Sequence, residues 1–332
     1  MALFFYSEQK GSFLKNLSKK FIIYLKNRIK QLCSLSYYAK NTDNLNNLEF
    51  HLTEKCNYKC EYCFSHSLED IQAENNTVDS FIKLVSGMQE KSKIKLIGGE
   101  PLFHPRFMEL AHCIMKHNHD LRVGTNFSFP NKLFEKIIDE SKREKQISLV
   151  VSLHLTQINS IDSFIEKVIE LKKYGDDKIE ISVVSVLKED NFEKLLNVKE
   201  KLALSKIPMV FQRLKVNSGK EFLKYEENIE AYLMENFPNR VAAKIEFLNP
   251  FGMLCKTGYS FIRIYVNGEI SRCYNYQEKL FSLGNINGNW KLLKKSMPCL
   301  SDKCTCLLPV AQNLLEFEKY DRKLANKILA GK

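Results

Sequence analysis

Three cysteines, Cys56, Cys60 and Cys63, stand close together after the first β-rich stretch of the chain. They are separated by three and then two residues, so one loop could place three thiolates at three corners of an iron–sulfur cubane. Three protein ligands would leave the fourth iron open for chemistry. A structural zinc site is the alternative, but zinc normally takes four protein ligands, and His51 or His66 would have to supply the fourth.

A second candidate site is the run Gly98-Gly99-Glu100-Pro101, which ends the next β-rich stretch. Two glycines let the backbone approach a ligand closely, and a carboxylate can accept hydrogen bonds from an ammonium group. Polar residues also end the third and fourth predicted strands, namely Thr125, Asn126 and Ser152. Thr125 and Asn126 could equally form turns or cap helices.

Five further cysteines lie near the C-terminus: Cys255, Cys273, Cys299, Cys304 and Cys306. Asn267-Gly268 lies between two β-rich runs, which predicts a hairpin that brings Cys255 and Cys273 together at its base. Four thiolates suit either an iron–sulfur cluster or a structural zinc ion. We expect Cys255 and Cys273 with two of the other three as ligands, and the sequence leaves open which two.

The elements that must position these residues alternate between strands and helices from residue 47 onward. Strands are predicted at Leu48–Leu52, Ile94–Ile97, Leu121–Val123, Ile147–Leu153, Ile179–Val186 and Met209–Leu214, with helices at 76–90, 106–117, 131–144, 160–174 and 190–204. This alternation predicts an α/β fold with a parallel sheet, and six such units would form a partial (β/α)6 TIM-like barrel. Active sites in such folds gather at the carboxyl ends of the strands.

The remaining segments define the predicted domain boundaries. Residues 1–46 read as a basic amphipathic helical extension, which could bind a membrane surface or a partner or pack on its own domain. The barrel covers 47–220, a helical connector 221–248, a small hairpin-and-helix cysteine domain 249–310, and a C-terminal helix 311–332. A short helix is also expected near 290–296.

Bulk composition describes an ordinary globular chain. Its 332 residues are 44% hydrophobic and 27% charged, and no apolar run approaches the roughly 20 residues that span a bilayer. No signal peptide is evident, so we expect a cytoplasmic protein. The formal charge of +11 favours an anionic partner, although solvated lysine-rich helix faces would give the same excess.

The Cys-x3-Cys-x2-Cys loop, with Tyr62 before its last cysteine, resembles the signature loop of the radical S-adenosylmethionine (SAM) superfamily. That resemblance implies a [4Fe–4S] cluster on Cys56, Cys60 and Cys63 whose open iron chelates SAM, with Tyr62 against the adenine. It implies that Gly98-Gly99-Glu100-Pro101 holds the SAM amino group, and that Ser152 contacts the ribose or carboxylate. An electron donor such as flavodoxin or ferredoxin would then drive SAM cleavage to a 5′-deoxyadenosyl radical.

The Cys255-x12-Gly268-x4-Cys273 spacing, with Leu283-Gly284-Asn285-Ile286, resembles the SPASM/twitch extension of such enzymes. This second resemblance implies an auxiliary [4Fe–4S] cluster, which could ligate substrate or accept an electron and so make the net reaction an oxidation. The match is partial, because a full SPASM domain has more cysteines and usually two clusters.

These features favour an enzyme that abstracts hydrogen from a small, sugar-like or phosphorylated substrate. A peptide maturase that forms a cross-link or thioether is a second hypothesis, although 46 residues before the first strand are few for a peptide-recognition domain. A viperin-like nucleotide enzyme is a third, and the C-terminal cysteines argue against it. A non-catalytic iron–sulfur or zinc protein is a fourth, and it would have no need of the Gly-Gly-Glu-Pro strand end.

Overall fold

The structure is a computed structural model that describes residues 42–63, 71–216, 221–236, 249–273, 282–302, 304 and 314–330. The expectations for residues 1–41, His66, 237–248 and Cys306 fall outside this part of the chain. Within the described residues, no helix combines the length and apolar character needed to cross a membrane.

Strands and helices alternate as the sequence predicts. The strands are β1 (Asn47–Thr53), β2 (Lys93–Gly98), β3 (Asp120–Thr125), β4 (Ile147–Leu153), β5 (Ile179–Leu187) and β6 (Met209–Arg213). The helices between them are α1 (Asn75–Gly87), α2 (Phe107–Lys116), α3 (Asn131–Asp139), α4 (Ile161–Gly175) and α5 (Phe192–Leu204). All six strands pair in parallel and in chain order, which confirms the α/β prediction. Closure into a partial barrel stays a prediction.

The helices pack on one face of this sheet because alternate strand residues are apolar. In β1, Leu48, Phe50 and Leu52 are buried, and the Phe50 ring stacks on Phe81 of α1 with 4.5 Å between centroids. Burial of each such side chain contributes about 1.5–3 kcal/mol to folding. The residues between them, such as Glu49, point the other way. We call the face opposite α1–α5 the inner face.

The second half of the described chain contains shorter elements. After β7 (Lys215–Val216), β8 (Glu221–Phe222) and α6 (Glu227–Asn236) come β9 (Met253–Cys255), β10 (Phe261–Ile264), β11 (Glu269–Ser271), β12 (Ser282–Asn285), β13 (Met297–Pro298), β14 (Leu315–Tyr320) and α7 (Arg322–Ala330). The predicted helical connector is therefore represented by α6.

The hairpin predicted around Asn267-Gly268 is present and is formed by β10 and β11. Gly268 has a φ of +78°, which L side chains rarely adopt. Strand β10 also pairs in parallel with β1, so the sheet order is β12-β11-β10-β1-β2-β3-β4-β5-β6. The hairpin thus continues the main sheet directly beside the strand that leads into the first cysteine loop.

Two expected helices differ from the structure. No helix forms at 290–296, because Trp290 folds back to pair with Gly284 across a turn. In the C-terminal segment a strand, β14, comes first, and α7 begins only at Arg322. The Leu315–Tyr320 sequence alternates apolar and charged residues, and it pairs with β9. Asp321 then accepts a hydrogen bond from the Leu324 backbone N–H at 2.8 Å, a typical helix cap.

The two residues that end β6 lie on opposite faces, as strand geometry requires. Gln212 is exposed, whereas Arg213 is buried. Arg213 binds Glu230 of α6 through both guanidinium nitrogens, one of them 2.8 Å from Glu230 Oε1. Its guanidinium also lies 5.7 Å from the Tyr225 ring centroid. Arg213 therefore fastens α6 to the sheet.

We expect Arg213→Met to lower the free energy of unfolding by about 3 kcal/mol, because it leaves the Glu230 carboxylate without its charged partner. Adding Glu230→Gln should restore at least half of the loss. Gln212→Met, one residue earlier and exposed, should change the same free energy by less than about 0.5 kcal/mol. Urea denaturation of the metal-free protein measures all three, and equal losses for Arg213→Met and Gln212→Met would contradict the assignment.

Candidate functional site

The cysteine loop begins where β1 ends. Cys56 and Cys63 are exposed, whereas Cys60 is buried. The Cys63 N–H donates to the Cys60 carbonyl at 3.0 Å, and the Tyr58 N–H donates to Cys56 Sγ at 3.4 Å. Burial raises the pKa of Cys56, and raises that of Cys60 to about 11. Both thiols are therefore protonated near neutral pH without metal, and any metal that they bound as thiolates would have to displace those protons.

Gly98 and Gly99 allow two stretches of main chain to meet. The Gly99 N–H donates to the Thr53 carbonyl at 2.7 Å, and the Glu100 N–H donates to the Lys55 carbonyl at 2.8 Å. A Cβ on Gly98 would lie 2.3 Å from Thr53 O, and one on Gly99 would lie 2.4 Å from Lys55 O. The sequence interpretation assigned these glycines to a ligand. In the structure, the group they approach is the backbone that leads into the cysteine loop.

Glu100 is completely buried at this junction. Its carboxylate accepts hydrogen bonds from the Thr125 hydroxyl at 2.9 and 3.0 Å, from the Asn126 N–H at 2.6 Å and from the Leu102 N–H at 3.3 Å. Burial raises the pKa of Glu100 to about 7, although these donors oppose the rise. The side chain is thus a fixed acceptor whose charge is weakly compensated.

Asn126 connects Glu100 to the cysteine loop. Its side-chain Nδ2 donates to Asn57 Oδ1 at 2.8 Å and lies 3.5 Å from Cys56 Sγ. The turn that carries it is held by Lys167 of α4, whose ammonium donates to the Phe127 and Phe129 carbonyls at 2.6 and 2.5 Å. Asn126 Oδ1 also accepts a hydrogen bond from the Ser128 N–H at 3.0 Å, so Asn126 forms a local turn as well as contacting the cysteine loop.

His154, the first residue after β4, contacts the cysteine loop directly. Its Nδ1 lies 3.3 Å from Cys60 Sγ and 2.9 Å from the Tyr62 hydroxyl. Burial lowers the pKa of His154 to about 4 and raises that of Tyr62, so both groups are neutral at physiological pH. His154 was not among the site residues predicted from the sequence. Its position just past the carboxyl end of a strand was the signal that could have assigned it.

The other predicted residues occupy the same edge of the sheet. Pro101 is buried and begins a short 3-10 helix, Pro101–Phe103. Ser152 is half-buried on the inner face, two residues before His154. His51, the alternative zinc ligand, is buried and its Nδ1 lies 3.0 Å from Arg263 Nη2. Burial, with a smaller contribution from Arg263, lowers the pKa of His51 to about 3.

The pairing of β9 with β13 brings two of the C-terminal cysteines, Cys255 and Cys299, close together. Cys255 ends β9, and its neighbour strand β13 leads into Cys299, whose N–H donates to the Met253 carbonyl at 2.8 Å. Burial raises the pKa of Cys299 to about 11, and Cys255 and Cys273 are near enough to raise it further. Cys304 is half-buried. Within the described residues, no three His, Cys, Asp or Glu side chains are arranged around a point that could hold one metal ion.

A comparison with protein families identifies the chain. The model of the radical SAM superfamily matches residues 50–243, more than half of the sequence, from β1 through the cysteine loop to beyond α6. The chain belongs to the radical SAM superfamily. As a radical SAM enzyme it uses a [4Fe–4S] cluster and SAM.

Curated relatives match the radical SAM region at low identity. The tungsten-containing aldehyde ferredoxin oxidoreductase cofactor-modifying protein of Pyrococcus furiosus is 25% identical over 162 residues, which cover 45% of either chain. The S-adenosylmethionine-dependent nucleotide dehydratase of Selenomonas ruminantium is 24% identical over 52% of this chain and 68% of that protein. The match thus spans less than half of the first of these proteins.

The fold resembles that of SuiB from Streptococcus suis, solved with bound S-adenosylmethionine. The TM-score is 0.51 at 17% identity, and the alignment covers 82% of this radical SAM chain and 74% of SuiB. SuiB has also been solved with its precursor peptide SuiA. At this identity the likeness concerns the fold alone.

We expect Gly99→Ala to displace the cysteine loop, since the added Cβ would meet the Lys55 and Glu54 carbonyls. The unfolding free energy should fall by about 2–3 kcal/mol, and the protein should retain less iron after anaerobic reconstitution. The matched control is Gly87→Ala at the end of α1, where a Cβ meets nothing within 4 Å. Unchanged iron content in the Gly99→Ala variant would contradict the packing role.

A pH dependence of stability should arise from Glu100. Its folded pKa of about 7 lies above the ordinary value of 4.5, so the folded state holds a proton that the unfolded state releases. The stabilisation is complete below pH 4.5 and is lost as the pH rises through 7, a change of about 3 kcal/mol. Glu100→Gln should remove this component. Denaturation of the metal-free proteins from about pH 4.5 to 8 checks it, and parallel curves for the two proteins would refute it.

Proposed function

We propose that Cys56, Cys60 and Cys63 hold the [4Fe–4S] cluster of this radical SAM enzyme and that the adjoining strand ends bind SAM. The observation that carries the proposal is the chain of contacts from Glu100 through Asn126 to Cys56. It joins a buried carboxylate to the cysteine loop through Asn126, which lies 70 residues beyond Cys56 in the sequence. With a reduced cluster and SAM in place, the site supplies a 5′-deoxyadenosyl radical that takes a hydrogen atom from the substrate.

The residues around the loop have separate roles in this proposal. Glu100 accepts hydrogen bonds from the amino group of SAM, a cation that would also compensate the weakly balanced charge of its carboxylate. Ser152 contacts the ribose or carboxylate, and Tyr62 lies against the adenine. Gly98, Gly99 and Pro101 set the position of Glu100. His154 orients Tyr62 and Cys60 by hydrogen bonding.

We further propose a single auxiliary [4Fe–4S] cluster on Cys255, Cys273, Cys299 and one of Cys304 and Cys306. The electrostatic proximity of Cys255, Cys273 and Cys299 supports it. Each thiolate of a cubane binds its own iron, so these ligands need not converge on one point. When bound, this cluster could accept an electron from substrate and make the net reaction an oxidation. Regeneration of SAM during turnover would count against that role.

The proposed substrate is a small, sugar-like or phosphorylated molecule, and the electron donor is a flavodoxin or ferredoxin. A second candidate, nucleotide chemistry, is favoured by the match to the nucleotide dehydratase of Selenomonas ruminantium. Peptide maturation has support from likeness of fold alone, as to SuiB with its precursor peptide SuiA. We propose a cytoplasmic setting, because the eight described cysteines are all unbridged and clusters of this kind need a reducing compartment.

Iron and sulfide content after anaerobic reconstitution tests both cluster proposals. The wild type should hold about eight irons and the Cys56/Cys60/Cys63→Ala variant about four. Cys113→Ala is the control, because Cys113 is buried in α2 against Ser86 and belongs to neither group of proposed ligands.

SAM cleavage with dithionite is the second readout. The wild type and Cys113→Ala should release 5′-deoxyadenosine and methionine, and the triple variant should release neither. Full iron retention in the triple variant would overturn the ligand assignment. If that variant holds no iron, the auxiliary cluster is refuted.

A further inference from the structure

A row of polar and mostly charged side chains crosses the inner face below the cysteine loop. Strand register places its members side by side at one level, in the order Arg263, Glu49, Lys95, Arg122, Ser148 and Glu180. Their neighbours along each strand, such as Leu121 and Val123, are fully buried on the helix side, so the row faces away from the helices. Three cations face two carboxylates in this row.

The two carboxylates of the row differ in how closely they approach its three cations. Glu49 lies between Arg263 and Lys95, with 3.5 Å from Oε1 to Arg263 Nε and 3.7 Å from Oε2 to Lys95 Nζ. Glu180 is exposed, and its carboxylate lies 3.9 Å from Lys145 Nζ. Such an exposed group is screened by water and neutralises a neighbouring cation weakly.

Arg122 is therefore the exception in the row. It is half-buried, and its guanidinium makes no hydrogen bond or ion pair within 4.0 Å to any residue that the structure describes. Asp120, the other nearby acid, binds Arg143 and lies 3.3 Å from Lys91. An arginine stays charged at any physiological pH, and a partly desolvated charge is costly when its nearest carboxylates, Asp120 and Glu180, act on it without direct contact.

Building on the proposed function, we propose that Arg122, assisted by Lys95, binds the anionic group of the substrate, a phosphate or a carboxylate. A guanidinium presents paired N–H donors that match two oxygens of either group. Lys95 and Arg122 are register partners on adjacent strands, so their backbones lie about 4.8 Å apart and both side chains can reach one anion. The anion would supply the directly hydrogen-bonded counter-charge that Asp120 and Glu180 do not.

The position of this subsite sets the length of the substrate. Arg122 comes three residues before Thr125, whose hydroxyl binds Glu100, and strands rise about 3.3 Å per residue. The anion would thus bind about 10 Å from the proposed SAM site. Between the two levels, Gly124 presents no side chain, and a Cβ there would lie 3.5 Å from Lys95 Cε. The expected substrate is long enough to span about 10 Å between its anionic group and the end that approaches SAM.

Binding of small anions to the anaerobically reconstituted protein with SAM tests the subsite. Pyrophosphate and succinate serve as probes in isothermal titration calorimetry, and they distinguish phosphate from carboxylate recognition. Arg122→Gln should weaken binding of the recognised probe by about tenfold or more, the loss expected for one charge-assisted pair. Lys178→Gln removes one equally charged, exposed side chain elsewhere and should leave binding unchanged.

A second variant distinguishes a loss of the anion subsite from a folding defect in Arg122→Gln. Ser148 is the register partner of Arg122 on β4, so Ser148→Glu places a carboxylate beside the guanidinium. It should raise the melting temperature and abolish probe binding. Failure of the wild type to bind either probe, or equal effects of Arg122→Gln and Lys178→Gln, would overturn the subsite. Because SAM cleavage by the wild type is measured in parallel, a protein that cleaves SAM but binds no anion refutes the subsite alone.

Discussion

The site depends on one close contact between two stretches of main chain. Gly98 and Gly99 at the end of β2 lie against Thr53–Lys55 at the end of β1, with no room for a side chain between them. This contact fixes the start of the cysteine loop and the position of Glu100 together. Neighbouring parallel strands end at the same edge of a sheet, so the contact also brings in the ends of β3 and β4. Asn126 and His154 then complete the surroundings of the cysteines.

The C-terminal part of the chain is coupled to the same edge through β10. Because β10 pairs with β1, Arg263 lies beside Glu49 and reaches His51, which stands five residues before Cys56. Arg263 is buried and contacts both the Glu49 carboxylate and the His51 imidazole, so it stabilises the strand that leads into the cysteine loop. The same hairpin leads from β11 to Cys273. The main sheet therefore carries the first cysteine loop and Cys273, whereas Cys255 and the strand that leads into Cys299 belong to a separate sheet of order β13-β9-β14.

The inner face carries a half-buried arginine without a direct ion pair, an arrangement that folding alone does not require. Two other arginines each contact a carboxylate directly: Arg213 binds Glu230, and Arg143 binds Asp120. On the inner face, Arg122 makes no such direct ion pair among the described residues, and the Asp120 and Glu180 carboxylates act on it without direct contact. Protein interiors rarely keep a cation in that state, because the desolvation cost is recovered only when a counter-charge arrives. The incoming anionic substrate would both occupy and neutralise this position.

The sequence by itself determined the order of the six parallel strands and of the helices between them, and it marked the cysteine loop as a candidate cluster site. Alternating apolar residues marked all six parallel strands to within two residues, and the spacing of Cys56, Cys60 and Cys63 needed no tertiary information. The sequence pattern gave the wrong prediction where a segment suits both a helix and a strand. Leu315–Tyr320 is such a segment, and it forms a strand because it pairs with β9. Only the tertiary structure decided which residues meet. His154 reaches Cys60 across 94 residues, and Arg122 stands beside Lys95, because strand register is set by the packing of the whole sheet.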